Sequence, residues 1–164
     1  SASKYAFEKI LYYYFLNLKT QVLNLRIMNV YGTPTDSRIV NYIFKAIKNK
    51  QTEIIINDIR AKVDLVHIDD VVGALKSILL SKRLGNYKDF TYDISAKKQI
   101  SILGLVKLIE KISNYKFSKI TSHKNFDQYL KKPFRGKKLI HWKNKIELIS
   151  GLKKTYSLFF PLSM

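Results

Sequence analysis

Short apolar runs alternate along this chain with stretches in which apolar residues repeat at helical spacing, and this alternation most restricts the fold. The strand-like runs cover residues 21–30, 53–57, 64–68, 89–95 and 116–120. The helix-like stretches cover residues 2–18, 37–49, 70–80, 101–112 and 145–159. Alternating strands and helices indicate a sheet covered by helices. We therefore expect an α/β fold.

Short polar residues stand where several of these helices should begin. Asp36 or Ser37 precedes the second helix, Asp69 the third and Ser101 the fourth. Such side chains accept hydrogen bonds from the N–H groups of the first helical turn, so we predict that they are N-caps. Residues 121–138 show neither periodicity and are predicted to be irregular.

The chain is strongly basic, with 30 Lys and Arg against 12 Asp and Glu and a formal net charge of +18. Residues 1–96 hold 14 basic and 9 acidic residues, and residues 97–164 hold 16 and 3. Arginine is the residue that base edges and bidentate phosphate contacts favour, but only five of the basic residues are Arg. This composition favours a solvated lysine-rich surface, with attraction for an anionic small molecule next and dedicated nucleic-acid binding last.

Several classes of protein are disfavoured by features that the sequence lacks. The absence of cysteine excludes a disulfide framework and a cysteine zinc site. No apolar run reaches the roughly 18 residues of a membrane span. The basic, apolar and small-residue order of a secretory signal is also missing. We expect a cytoplasmic location and no membrane partner.

Four stretches occur in an order typical of one enzyme family. They are SASK with the helix after it, LRIMNVYG, VDLVHIDDVVGAL and IHWKNKIELISGLKKTYSLF. In turn they resemble the end of the Tyr-x-x-x-Lys motif, the Arg-x-x-Asn-Val-Tyr-Gly segment, the Arg-Asp-Phe-Val-His-Val-Asp-Asp-Val segment and the Leu-Gly-Trp-x-Pro segment of the extended short-chain dehydrogenases/reductases. That family comprises NAD(P)-dependent nucleotide-sugar epimerases and dehydratases, and the four matches cover nearly the whole chain.

The resemblance implies the C-terminal part of a Rossmann-like enzyme with a smaller α/β substrate-binding domain. Residues 1–32 would form the last helix and strand of the Rossmann-like domain, and residues 33–164 the substrate-binding domain with interleaved segments. The family's glycine-rich phosphate turn and its acidic ribose ligand are absent. Its catalytic Tyr would stand just before Ser1. We therefore expect an incomplete chain that lacks the dinucleotide-binding half and is poorly stable as an isolated monomer.

The resemblance assigns catalytic and cofactor roles to two residues. In this family a Tyr phenol is the acid/base for hydride transfer at a sugar carbon, and a Lys one helical turn later lowers the phenol pKa and holds the nicotinamide ribose. Lys4 matches that lysine. Met28 matches a position whose backbone borders the nicotinamide, although a strand Met also suits a core. The complete enzyme is expected to use NAD or NADP, and this chain alone is not expected to bind it tightly.

Three residues match substrate-binding positions for a nucleotide-diphosphate sugar. Asn29 falls where the family places an amide near the diphosphate, Arg38 begins a helix where relatives place a cation, and Arg135 matches a late arginine. A turn-forming Asn and an exposed Arg near a helix cap are the alternatives. Relatives commonly dimerise through a helix bundle that includes the lysine-bearing helix, which implies a homodimer. The complete enzyme is expected to serve polysaccharide biosynthesis.

The sequence also departs from the family pattern. The family's Gly-Asp-Gly loop is replaced by 57–59 (NDI), and a diphosphate-binding arginine by Val63. His67, Asp69 and Asp70 lie too close in sequence for a typical metal site and are interpreted as a strand-end packing residue and the start of a helix. The alternative function is a non-catalytic basic module that binds a nucleotide sugar, a polyanion or nucleic acid.

Overall fold

The computed structural model describes residues 2–17, 22–35, 38–80, 90–122, 137–139 and 142–161. These residues contain five helices and eight strands. The helices are α1 (Ala2–Asn17), α2 (Ile39–Lys48), α3 (Ile68–Leu79), α4 (Ile102–Ser113) and α5 (Leu148–Phe159). The strands are β1 (Asn24–Ile27), β2 (Asn29–Tyr31), β3 (Glu53–Ile56), β4 (Lys62–His67), β5 (Thr91–Ile94), β6 (Gln99–Ser101), β7 (Lys119–Ser122) and β8 (Lys137–Lys138).

The strands form three small sheets that are mostly parallel. β5 lies between β1 and β8 and is parallel to both. β4 lies between β2 and β6, parallel to the first and antiparallel to the second. β3 and β7 form a parallel pair. Parallel strands joined by helical crossovers confirm the expected α/β, Rossmann-like fold.

Two hydrophobic clusters cover these sheets. One packs α3 against β5 and the end of β4; its buried members are Val66, Val71, Ala74, Ile78, Tyr92, Ile94 and Leu139. The other packs α2, α4 and α5 around β3; its members with almost no exposure include Val40, Ile43, Phe44, Ile54, Leu105, Val106, Ile109 and Leu152. β2 and β4 each contribute side chains to both clusters.

The single strand expected over residues 21–30 is a wrong prediction, because the chain forms two strands there. β1 pairs with β5, β2 pairs with β4, and the break falls at Met28. The Met28 N–H still donates to the carbonyl of Ile94 at 3.0 Å. The next residues therefore continue beside a different strand. A continuous run of strand-forming residues carries no signal of which strand it pairs with, so the sequence did not reveal this change of partner.

The remaining elements agree with the predictions to within a few residues, with three exceptions. β6 was not predicted, because a three-residue strand is too short to show a period. The strand expected over residues 116–120 begins at Lys119. β8 falls inside the stretch 121–138 that was predicted to be irregular, most of which lies outside the described residues.

The predicted helix caps have mixed outcomes. Ser101 is confirmed, since its Oγ accepts from the Gly104 N–H at 3.0 Å. The prediction for Asp69 is wrong: His67 is the N-cap of α3, and its Nδ1 accepts from the Asp69 N–H at 3.2 Å. The imidazole occupies the position because β4 runs directly into α3, which leaves no loop for a separate cap.

For α2 the N-cap is Arg38, whose side chain makes no capping hydrogen bond. Asp36 and Ser37, the residues predicted to cap this helix, lie outside the described residues. Arg38 therefore stands at the start of the helix, as expected. It is not one of the residue types that usually cap a helix, which are Ser, Thr, Asp and Asn.

Two buried carboxylates anchor loops to helices. Asp70 in α3 accepts from the backbone N–H groups of Lys145 and Ile146 at 2.9 and 3.0 Å. Glu110 in α4 accepts from the Phe117 N–H at 2.9 Å. Asp70 thus connects α3 to the segment that leads into α5, over 75 residues of chain.

Replacing Asp70 with Asn should destabilise the fold. The amide NH₂ would face one of the two backbone N–H donors, which leaves a buried donor without an acceptor at a cost of about 1–3 kcal/mol in the free energy of unfolding. Asp69→Asn is the matched control, since Asp69 is 58% exposed and should cost less than about 0.5 kcal/mol. Urea unfolding measures both, and equal midpoints for the two variants would contradict this role of Asp70.

Candidate functional site

A cavity of about 570 Å³ opens between β2, the start of α2 and the β3–β4 segment. Its polar lining residues are Asn29, Arg38, Tyr42, Asn57 and Asp58. The rest of the lining is aliphatic. A cavity of this size with a mostly apolar wall and a few convergent polar groups is typical of a site for a small organic ligand.

Asn29 and Arg38 reach this cavity from adjacent elements. Asn29 is exposed in β2, and its Nδ2 donates to the carbonyl of Asp64 at 3.3 Å. Arg38 is exposed at the N-cap of α2, and its Nη1 donates to the carbonyl of Val30 at 3.2 Å. The guanidinium is thereby held beside the positive end of the α2 dipole. Both features favour an anion at this edge of the cavity.

The β3 side of the cavity carries polar groups that the sequence had not assigned. The Tyr42 hydroxyl donates to the carbonyl of Ile55 at 3.0 Å. Asp58 Oδ1 accepts from the Arg60 N–H at 2.8 Å and lies 3.7 Å from Arg60 Nε. Tyr42 stands four residues after Arg38, and this spacing predicts that the two side chains lie on the same face of α2.

Val63 contributes apolar wall at the position where the family resemblance would place an arginine. Of the residues that line this cavity, Arg38 therefore carries the positive charge. Arg60, between β3 and β4, does not line it, and its side chain is 65% exposed beside Asp58.

Lys4 lies at a different place. It lines a second cavity of about 580 Å³, between α1 and β1, together with Glu8, Arg26 and Ile27. Met28 lines neither cavity and packs against the α3 cluster. Arg135 lies outside the described residues. The structure thus brings Asn29 and Arg38 together and places Lys4 across the β1–β2 break from them.

His67 and Tyr31 form a buried aromatic pair next to the first turn of α3. Their rings meet edge to face with centroids 5.2 Å apart. Gly151 lets α5 approach, because a Cβ there would stand within 3.0 Å of both side chains. Gly32 has a φ of +115° and a Cβ there would lie 2.8 Å from His67 Nε2.

Burial determines the protonation of this pair. It lowers the pKa of His67, and burial together with the Asp70 carboxylate raises the pKa of Tyr31. Both side chains are therefore neutral near pH 7. Among the described residues, no group of three or more His, Cys, Asp or Glu side chains is placed to hold a metal ion.

Comparison with known proteins supports the resemblance. The family model described as "NAD dependent epimerase/dehydratase family" matches residues 1–94, more than half of the chain. No curated protein matches the sequence. The described helices include none that is both long and apolar enough to cross a membrane.

Solved structures match over nearly the whole chain. A UDP-N-acetylglucosamine 4-epimerase from Methanobrevibacter ruminantium, in complex with UDP-N-acetylmuramic acid, has a TM-score of 0.76 at 18% identity; the match covers 96% of this chain and 52% of that one. A UDP-glucose 4-epimerase from Thermotoga maritima, with UDP-glucose, has a TM-score of 0.70 at 23% identity and coverages of 96% and 52%.

A third structure, of RMD from Pseudomonas aeruginosa complexed with NADPH, has a TM-score of 0.71 at 18% identity, with coverages of 96% and 54%. At such identities the likeness shows a shared fold. The chain spans about half the length of each of these three proteins.

The stability of the fold should depend on the protonation of His67. Because the folded pKa lies below the ordinary value of 6.5, the unfolded chain takes up this proton first as the pH falls. The free energy of unfolding is therefore expected to decrease from pH 6.5 downward, until the folded state also becomes protonated. Urea unfolding between about pH 8 and pH 5 measures this dependence.

The control variant is His67→Asn, which retains a side-chain acceptor for the Asp69 N–H and removes the titration. Its unfolding free energy should be lower throughout but flatter with pH. An unchanged slope in His67→Asn would show that His67 is not the titrating group.

Proposed function

Because the chain belongs to the NAD-dependent epimerase/dehydratase family, we propose that it supplies the substrate-binding part of an enzyme that transfers hydride at a sugar carbon of a nucleotide-diphosphate sugar. The observation that carries this proposal is the 570 Å³ cavity, where Asn29 and Arg38 converge beside the N-terminus of α2. The guanidinium and the helix dipole suit the diphosphate.

The remaining lining suits the uncharged parts of such a ligand. The aliphatic wall, which includes Val40 and Leu65, would cover a base or sugar ring. The amide of Asn57 and the hydroxyl of Tyr42 would supply hydrogen bonds. Solved structures with this fold contain UDP-glucose and UDP-N-acetylmuramic acid, so a UDP-linked sugar is the first ligand to test.

The proposed roles of the other residues follow the family resemblance. Lys4 would lower the pKa of a catalytic Tyr phenol and hold the nicotinamide ribose. The backbone at Met28 would border the nicotinamide, and Arg135 would contact the diphosphate. The cofactor would be NAD or NADP, since structures with this fold contain NAD or the reduced form NADPH.

We further propose that the active enzyme needs a dinucleotide-binding part that this chain does not provide. Within the described residues β1 is paired along one edge only, by β5, whereas parallel sheets are usually extended and covered on both faces. No residue of α1 is buried. In this proposal residues 1–32 complete a Rossmann-like domain and residues 33–164 form the interleaved substrate-binding domain.

The same exposed helix suggests the assembly and setting of the enzyme. α1 presents Tyr5, Phe7, Tyr13 and Leu16 with more than half of each side chain exposed. A homodimer of the complete enzyme would cover such a surface. The proposed setting is cytoplasmic, in the synthesis of surface polysaccharides from nucleotide sugars.

Isothermal calorimetry with UDP tests the proposed cavity. Arg38→Gln should weaken UDP binding about tenfold or more, because a charge-assisted contact to the diphosphate is lost. The same variant should leave the weaker binding of uridine unchanged, since uridine has no diphosphate. Lys111→Gln removes an equal charge from an exposed position on α4 and should retain native UDP affinity. Equal UDP affinity for Arg38→Gln and Lys111→Gln would contradict the proposal.

A non-catalytic basic module is the second candidate function, and the excess of lysine after residue 97 favours it. Exposed lysines from residue 97 onward in the described residues are Lys97, Lys98, Lys107, Lys111, Lys116, Lys119, Lys137, Lys143, Lys145, Lys153 and Lys154. Binding of an oligonucleotide through such a surface should weaken log-linearly and steeply with salt concentration. A nucleotide sugar held in the cavity should instead be displaced by UDP.

A further inference from the structure

A bidentate ion pair between Glu8 and Arg26 joins helix α1 to β1. Arg26 Nε lies 2.9 Å from Glu8 Oε1, and Arg26 Nη2 lies 2.5 Å from Glu8 Oε2. Each side chain is only 18% exposed. The hydrogen bonds from Arg26 lower the pKa of Glu8, so the carboxylate remains ionised well below neutral pH.

Lys4 stands one helical turn before Glu8 on the same helix. Residues four apart on a helix are neighbours, and a Lys and a Glu at this spacing form ion pairs on isolated helices. Both side chains line the 580 Å³ cavity between α1 and β1. Within the described residues, however, the ion pair of Glu8 is with Arg26 rather than with Lys4.

Arg26 has an acidic residue beside it on the neighbouring strand. It stands directly opposite Asp93 in the register of β1 and β5. Glu8 and, less strongly, Asp93 both stabilise its charge. A planar guanidinium with two parallel N–H donors also matches a carboxylate better than the single ammonium of Lys4 does. Arg26 is therefore the stronger partner for Glu8.

We propose that Arg26 is a positioning residue for Lys4: by engaging Glu8, it prevents this carboxylate from capturing the Lys4 ammonium. The inference rests on the proposed function, in which that ammonium serves a Tyr phenol and a nicotinamide ribose. The ion pair also fixes which face of α1 lies against β1. A second anchor of the helix exists, because Tyr12 and Phe15 each pack on Phe90 with centroids 5.4 Å apart.

The test measures the reactivity of the Lys4 amine in the chain of residues 1–164, by a brief pulse of acetic anhydride and mass spectrometry of the Lys4 peptide. Lys111, exposed on α4, is the internal reference. In Arg26→Gln the released Glu8 should pair with Lys4 and slow its acetylation about twofold relative to Lys111. The slowing should largely disappear in about 0.5 M salt, which screens an exposed ion pair.

The double variant Glu8→Gln with Arg26→Gln separates positioning from a merely structural role. Removing the carboxylate as well should restore the native acetylation rate of Lys4. If Arg26 only stabilised the structure, its loss would change the acetylation rate of Lys4 by the same amount in the single and the double variant. Equal rates in these two variants, in folded protein, would therefore overturn the proposal.

If Arg26→Gln gives no cooperative thermal melt, the same comparison is made between Arg26→Lys and its double variant with Glu8→Gln. Lysine keeps the positive charge at this position but lacks the two parallel N–H donors of a guanidinium. A smaller slowing of Lys4 acetylation is therefore expected, and Glu8→Gln should again reverse it. The acetylation assay contains neither dinucleotide nor sugar nucleotide, so its result is independent of the UDP-binding experiment. The positioning role of Arg26 can therefore be overturned while UDP binding still depends on Arg38. It can equally be supported when UDP does not bind.

Discussion

The backbone of residues 24–31 pairs with two different strands in succession, and the rest of the structure depends on this change of partner. β1 runs beside β5 and β2 runs beside β4, with the break at Met28. The break places α1 and the Lys4 cavity on one side and the cavity of Asn29 and Arg38 on the other. Two separate cavities thus border one continuous segment of the chain.

The polar residues of the VDLVHIDD segment stabilise this crossing. The Asp64 carboxylate accepts from the Ser95 hydroxyl at 2.6 Å and from the Ala96 N–H at 2.9 Å, which connects β4 to the chain after β5. His67 caps α3, and Asp70 holds the segment before α5. Three titratable side chains of this segment thus accept hydrogen bonds from the backbone. Asn29 and Arg38, by contrast, are exposed and line the 570 Å³ cavity.

Periodicity predicted α2, α3, α4 and α5 well because each of these helices buries one face, and that burial is encoded in the spacing of apolar residues. It failed where structure depends on distant partners. β6 exists because Ile100 lies opposite Val63 in an antiparallel pair. The cap of α3 is an imidazole because β4 ends directly against the helix. For the candidate site, the sequence identified Asn29 and Arg38 individually but missed Tyr42 and Asn57, which complete the same cavity.

By itself the sequence determined the α/β class, the five helices and the family, because these depend on local spacing and on short motifs. Only the tertiary structure decided which charges meet. Spacing along α1 would pair Glu8 with Lys4, yet Glu8 binds Arg26, 18 residues away, because β1 brings a guanidinium fork to a partly buried position. Local order can be read from neighbouring residues, whereas an ion pair between elements depends on strand register and packing, which no single segment contains.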